Sequence, residues 1–353
     1  TGISAAQIIK TSDSDAAEII KRVPGISLIE NRFIIVRGLS QRYNNVSINN
    51  GAVPSSEADG RAFSFDIIPS SNIDNMMIIK SPTAELPGDF SGGFIKISTK
   101  NMPDENSLSL SVGTGINTVT HFKDFSLLQS SSTEWLGFDR CARPLSKDFP
   151  SHLGSITDPS QITYYTKTGF NNDWNVKTFR PLPDLKLNLT WNRKIGDKVG
   201  TILTFGYSNA NKTIPDMQNT RYGIYSATAD VPTIEKNYID NQFTNEVKIN
   251  AMNNWSFILD SRNRFEFRNL FSQIGKNRFT ERYGTSTVSG EYYENQTEML
   301  YSSRLSYVGQ LAGLHTLDED MTQTLNWTVD YSYANKMEPD RRIIKNIGGI
   351  PAD

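Results

Sequence analysis

The sequence predicts an α+β domain over roughly the first hundred residues, followed by antiparallel transmembrane β-barrel strands, about seven of an expected larger set. Three observations predict it. The first hundred residues alternate short helical and strand-forming runs with long polar loops. Beyond them, seven segments place apolar and polar residues alternately, as a strand with unlike faces requires. The connections between those segments alternate in length, long then short, which is the habit of outer-membrane barrels.

In the first domain, Asp13 or Asp15 is placed to cap a helix running through Ile20, with Ala16, Ile19 and Ile20 on its apolar face. Pro24-Gly25 ends it. Ile26 to Ile29 and Phe33 to Val36 read as strands joined by a reversal at Glu30-Asn31. Val46 to Ile48, Met76 to Lys80 and Phe94 to Thr99 supply three more, and short helical pieces fit Pro69 to Asn72 and Pro82 to Leu86.

The seven later segments start with Leu108, Leu110 and Val112, set against serines. Leu185, Leu187, Leu189 and Trp191 follow, then Val199, Leu203, Phe205 and Tyr207. Phe243, Val247 and Ile249 define the fourth, and Phe265, Phe267 and Phe271 the fifth. Met299, Tyr301, Leu305 and Tyr307 form the sixth, with Arg304 behind them. Leu325, Trp327, Val329, Tyr331 and Tyr333 form the seventh. A soluble β-sandwich also alternates, but aromatics near strand ends and the parity of the connections favour a membrane wall. Asn117 to Pro181 and Asn211 to Asp240 are expected as long polar loops, while Ile195 to Lys198 and Asp260-Ser261 are tight turns.

Composition narrows function. The chain has 353 residues, a formal charge of −2 and no basic excess, which gives no sign of a nucleic-acid partner. No run of 18 apolar residues exists to make a membrane helix, a test that a β-barrel never meets. The single cysteine, Cys141, has no partner for a disulfide or thiolate site, and His121, His152 and His315 are scattered. No GxSxG, HExxH or Walker loop is present, so the expectation is a non-enzyme with no cofactor and no metal site.

The first domain also resembles the plug domain of TonB-dependent outer-membrane receptors. The residues carrying the likeness occur in the family's order: Pro24-Gly25-Ile26 after a helix, Arg37-Gly38 closing a strand, the Asn50-Gly51 turn, Ile78-Ile79-Lys80, and Gly92-Gly93 through Thr99-Lys100. The resemblance implies a plug over 1–103 and the N-terminal portion of the barrel over 104–353, with loops 117–181 and 211–240 extracellular. It implies location in the Gram-negative outer membrane, with the plug in the barrel lumen, contact with outer-membrane lipid, and energy delivered by the TonB complex. The implied activity is active import of a scarce ligand, whether siderophore, oligosaccharide or peptide. A non-transporting barrel scaffold that holds partners such as a surface lipoprotein is the alternative.

By the same resemblance, the substrate face comprises three plug apices: Arg42, Tyr43 and Asn44, with Gln41; Glu57, Asp59 and Arg61; and Pro87 with its neighbours Glu85 to Asp89. Arg37 and Gly38 are expected to seat the plug, and charged apex residues can instead pair with wall residues such as Glu246 or Arg268. The stretch NIDNMMIIKSPTAELPGDF lacks the acidic run and VLKDAS of glycan-importing receptors, and RGLSQRYN is closer to a group with diverse ligands. Plugged barrels have about 22 strands, and an open seven-stranded sheet leaves two unpaired edges in lipid. The expectation is therefore a longer protein, with a leader upstream of Thr1-Gly2-Ile3, which lacks the basic and apolar regions of a signal peptide.

Overall fold

The computed structural model describes residues 2–11, 13, 15–30, 32–53, 55, 62–84, 86–128, 131–139, 143–170, 173–228, 230–288, 290–320 and 322–348. The N-terminal domain opens with β1 (Gly2–Ser4), α1 (Ala5–Ile9) and α2 (Ala16–Ile20). Asp15 caps α2, its Oδ1 accepting from the backbone N–H of Ala17 and Glu18, both at 3.1 Å. Those bonds satisfy two of the orphan donors every helix start presents. The helix buries Ala16, Ala17, Ile19 and Ile20.

Next come β2 (Ile26–Ile29), β3 (Phe33–Val36), β4 (Asn45–Ile48), β5 (Gly51–Ala52), β6 (Ile73–Ile79) and β7 (Phe94–Thr99). The strands β2 and β3 form a separate hairpin, and the main sheet has the order β1-β6-β7-β4-β5 with β4 parallel to β7. The strands predicted from sequence are all present. Ser70–Asn72 forms a 3-10 turn as expected in that stretch, but the described residues 82–84 and 86 are not helical: Pro82 cannot donate, and the Leu86 N–H bonds to the Thr83 carbonyl. Asn31 of the predicted reversal lies outside the described residues.

The remainder is a meander of long strands: β8 (Ser107–Gly115), β9 (Phe125–Leu128), β10 (Val176–Phe179), β11 (Asp184–Ile195), β12 (Val199–Ser226), β13 (Val231–Ile258), β14 (Asn263–Ser286), β15 (Tyr292–Thr316) and β16 (Thr324–Gly348). Seven of them form one open antiparallel sheet ordered β16-β15-β14-β13-β12-β11-β8. A bilayer crossing needs about 9–11 residues, and five of these strands, at 24 to 28 residues, are more than twice that long.

Two expectations are corrected here. Residues 211–240 are not a loop: Asn211 pairs with Asn245 and the ladder runs on to Ser226 with Val231, with residues 227, 228 and 230 in a turn. Likewise β16 continues past Tyr333 to Gly348. In both stretches the apolar–polar alternation fades while backbone pairing continues.

The two faces of the wall are unlike. The N-terminal domain packs on one, and a single apolar cluster joins Ile20, Ile48, Phe65, Ile68, Met76 and Ile97 of the domain to Ile202, Met252, Leu270, Ile274 and Val308 of the wall. Ile274→Ala should cost about 2–5 kcal/mol, since a close-packed seam relaxes little around a cavity; a lower urea midpoint checks this. On the opposite face Leu110, Val112, Phe205, Phe267, Leu311, Val329 and Tyr331 are bare. A contiguous apolar face of that kind calls for lipid.

The connection 116–183, which the sequence presents as a polar loop, is built as a strap on this same outer face, past the bare band. β9 and β10 pair, and Phe125, Leu127 and Leu128 pack on Phe279 and Met299, beside Phe243. The Tyr207 hydroxyl donates to the Trp135 carbonyl at 3.0 Å, and Gln273 Nε2 donates to the Gly137 carbonyl. Arg143 is buried, 2.8 Å from Glu134 and 3.2 Å from Asp139, with its guanidinium 4.6 Å from the Tyr301 ring centroid. A ten-residue helix, α3 (Pro159–Thr168), capped by Asp158, sits within the strap.

Candidate functional site

The first predicted apex is a 3-10 turn, Gln41–Tyr43. Arg42 Nη2 donates to the Tyr43 hydroxyl at 2.8 Å, and its guanidinium carbon lies 5.0 Å from the ring centroid. Both side chains are exposed, so together they offer a flat aromatic face with a fixed positive charge. The Tyr43 carbonyl is held by the N–H groups of Ser91 and Gly92. Asn44 belongs to the scaffold: its Nδ2 donates to the Ile34 carbonyl at 2.7 Å. A Cβ on Gly92 would fall 2.2 Å from Asn44 Oδ1, which explains glycine there. Asn45 Nδ2 reaches Asp89 Oδ1 at 2.7 Å, tying the third apex to the first, and Pro87 beside it is exposed. Glu57, Asp59, Arg61 and Glu85 lie outside the described residues.

Arg37 and Gly38, expected to seat the domain, act within it. Both have positive φ, 54° and 77°, at the end of β3. Arg37 Nη1 donates to the Lys80 carbonyl at 3.1 Å and Lys80 Nζ to the Pro24 carbonyl at 2.9 Å, so the pair staples the hairpin to the sheet.

The seating is done elsewhere. Asp66 is buried and accepts from Arg304 Nη2 at 2.7 Å and from Ser64 Oγ at 2.6 Å, while Arg304 Nη1 also reaches Ser64 Oγ. Burial alone would raise the Asp66 carboxyl, but the charges of Arg304 and Lys248 with these hydrogen bonds hold it at about 2. Asp15 lies 3.6 Å from Lys248 Nζ, and there burial wins and pushes its carboxyl above the usual range. Neutral bonds surround this pair. Gln310 Nε2 donates to the Ile48 carbonyl at 2.8 Å, Asn254 Nδ2 to the Lys100 carbonyl at 2.7 Å, and Thr204 Oγ1 to Asn72 Oδ1 at 2.6 Å. Of the wall residues expected to meet the domain, Arg268 donates to Asn101 Oδ1 at 3.1 Å, while Glu246 pairs with Lys248 of its own strand.

Above this contact is a charged cavity of about 620 Å³ between the β2–β3 turn and the wall, lined by Arg32, Glu246, Lys276, Arg304 and Arg341 among others. Most of its lining side chains are charged. Among the described residues no three His, Cys, Asp or Glu side chains converge to hold a metal. His121 is buried, with Nε2 3.2 Å from Asp184 and Nδ1 accepting from the Asn117 N–H. Sequence reasoning missed Asp66 and Arg304 as partners. The available signals were a carboxylate inside the apolar run Phe63 to Ile68 and an arginine on the polar face of the sixth segment.

Residues 1–94 match the family described as TonB-dependent Receptor Plug Domain. No curated protein matches. Among solved structures the chain is similar to a ferric enterobactin receptor mutant from Pseudomonas aeruginosa in complex with enterobactin, at 12% identity and a TM-score of 0.45, covering 94% of this chain and 49% of that one. The outer membrane transporter YddB from Escherichia coli gives 11% and 0.41, covering 99% and 54%. The ferric-catecholate import receptor Fiu from Escherichia coli K12 gives 9% and 0.36, covering 96% and 60%. This chain thus spans about half the length of those proteins.

Proposed function

We propose, from the premise that the first 94 residues are a TonB-dependent receptor plug domain, that this chain is the plug and early barrel wall of an outer-membrane importer. One observation carries the reading: a folded domain is seated by charge and apolar packing on one face of a strand sheet whose other face is bare and apolar. Such a sheet has lipid on one side and a lumen on the other, and the plug fills that lumen. The plug extends over 1–103 and the wall over 104–353, and the strap and the 211–240 ribbon project outside the cell.

Ligand binds at the outward apex, where Arg42 and Tyr43 meet it, and Pro87 completes that surface; Glu57, Asp59 and Arg61 belong to the same face. A scarce siderophore, oligosaccharide or peptide then waits above a closed plug. The TonB complex pulls through the N-terminal strand β1. That strand is held at the sheet edge by only three residue pairs, Gly2 with Met77 through Ser4 with Asn75, so it unzips before the seam yields. Displacement of the plug past Arg304 and Lys248 opens the charged cavity as a path. The protein needs no nucleotide site, since the work arrives as force.

The test is uptake by energised cells offered labelled ferric chelates, oligosaccharides and peptides. One class should accumulate, and accumulation should vanish with an uncoupler. Tyr43→Ala should weaken binding of that ligand about tenfold, the worth of one stacked aromatic contact. Uncoupler-insensitive accumulation would contradict import by this route.

A further inference from the structure

The strap does not close fully on the wall. Between them lies a cavity of about 380 Å³, lined by Leu127, Leu128, Trp135, Lys177, Asn209 and Asn211, and by Glu134, whose carboxylate is paired with Arg143. That volume holds one or two sugar rings. We propose that this cavity binds the phosphorylated sugar headgroup of a glycolipid from the outer leaflet.

Position is the first argument. Asn209 and Asn211 follow Tyr207 on the outward face of β12, paired with Val247 and Asn245, immediately past Leu203 and Phe205 of the bare band. Adjoining the bare band at Phe205, the cavity sits at headgroup height on the flank opposite the plug, where lumen cargo does not pass. Chemistry is the second. Asn245 Nδ2 donates to Asn209 Oδ1 at 2.8 Å and to Asn211 Oδ1 at 2.9 Å, which fixes both amides. Their own Nδ2 groups have no acceptor among the described residues, and Lys177 Nζ has no carboxylate partner there. These are preset donors for sugar hydroxyls and a phosphate. Trp135, 58% exposed although its carbonyl is anchored by Tyr207, contributes an indole on which a sugar ring stacks. Leu127, Leu128 and Phe179 make the floor apolar. A bare acyl chain would leave the amides unmet, and a free anion would leave the floor uncovered.

The inference rests on the reading that the strap end faces outside the cell. The protein as extracted from its membrane is reconstituted with acylated diglucosamine phosphate or with phosphatidylglycerol, and lipid retained after washing is read by native mass spectrometry. Selective retention of the glycolipid is expected. Asn209→Leu with Asn211→Leu should reduce it about tenfold, the worth of one or two hydrogen bonds. Lys177→Gln, at an exposed position that does not endanger folding, should reduce it severalfold. Equal retention of both lipids, or unchanged retention in both variants, overturns the proposal. So does full displacement by soluble diglucosamine phosphate with no preference for the acylated form. Maleimide labelling of Ile224→Cys on intact cells separates the two readings. Labelling without glycolipid retention sinks the pocket alone, and absence of labelling sinks the orientation on which both depend.

Discussion

Replacing Asp66 by asparagine is expected to loosen the plug more than any other single polar change. Arg304 would stay buried without the Asp66 carboxylate, and breaking one partner of such a pair costs about 3–5 kcal/mol. Amides of Ile67 and Ile68 should exchange faster, and the plug should become protease-sensitive while the wall stays intact. The double change Asp66→Leu with Arg304→Met should recover most of the loss, because an apolar pair of similar size avoids desolvating two charges. The pH dependence has a definite sign. The Asp66 carboxyl is lowered from 3.8 to about 2 in the folded protein. Its stabilisation is therefore complete above pH 4 and is lost as pH falls towards 2, by about 2 kcal/mol. Asp66→Asn should remove that acid-labile component, which a urea titration at pH 5 and pH 2.5 would read.

The second large effect is expected at Gly275, in the middle of β14. A Cβ there would lie 2.6 to 2.9 Å from the backbone of Gly137 in the strap, and backbone cannot swing aside as a side chain does. Gly137 itself has φ 76° and would be strained by any side chain. Gly275→Val should lift the strap from the wall, exposing Phe125, Leu127, Leu128 and the buried Arg143 cluster. Protease added to intact cells should then cut between Phe125 and Phe179. Plug protection should be unchanged, because Gly275 faces away from it. Retained strap protection in a folded variant would contradict the close approach.

The two largest features of the fold were legible for physical reasons. A packed domain on one face and a bare apolar band on the other go with unlike faces on each strand, so Leu185 to Trp191 and Leu325 to Tyr333 declare themselves by alternation. Past the band that constraint ends, and the ribbon at 211–240 reads as loop although Thr213 pairs with Phe243 and Asn219 with Tyr238. In the plug, helix cap, turns and the order of glycine motifs were local signals. The seating pair was not, since Asp66 and Arg304 stand 238 residues apart and the Ser64 hydroxyl beside Asp66 in sequence gives no sign of the distant guanidinium. Asn44 illustrates the converse: its place in an apex suggests ligand contact, but the bond to the Ile34 carbonyl makes it part of the frame. The strap was hidden too, because its apolar contacts are spread among polar residues and a helix with no buried face.

Everything rests on the wall having lipid on one face and plug on the other, and tryptophan quenching by brominated acyl chains reads this directly. Trp191 and Trp255 point to the outer face, whereas Ile202 packs against the plug. In single-tryptophan proteins reconstituted into brominated bilayers, Trp191 and Trp255 should each be strongly quenched, and an Ile202→Trp substitution should show almost none. Equal quenching at all three positions, or none at Trp191 and Trp255, would contradict a membrane wall with a plugged lumen.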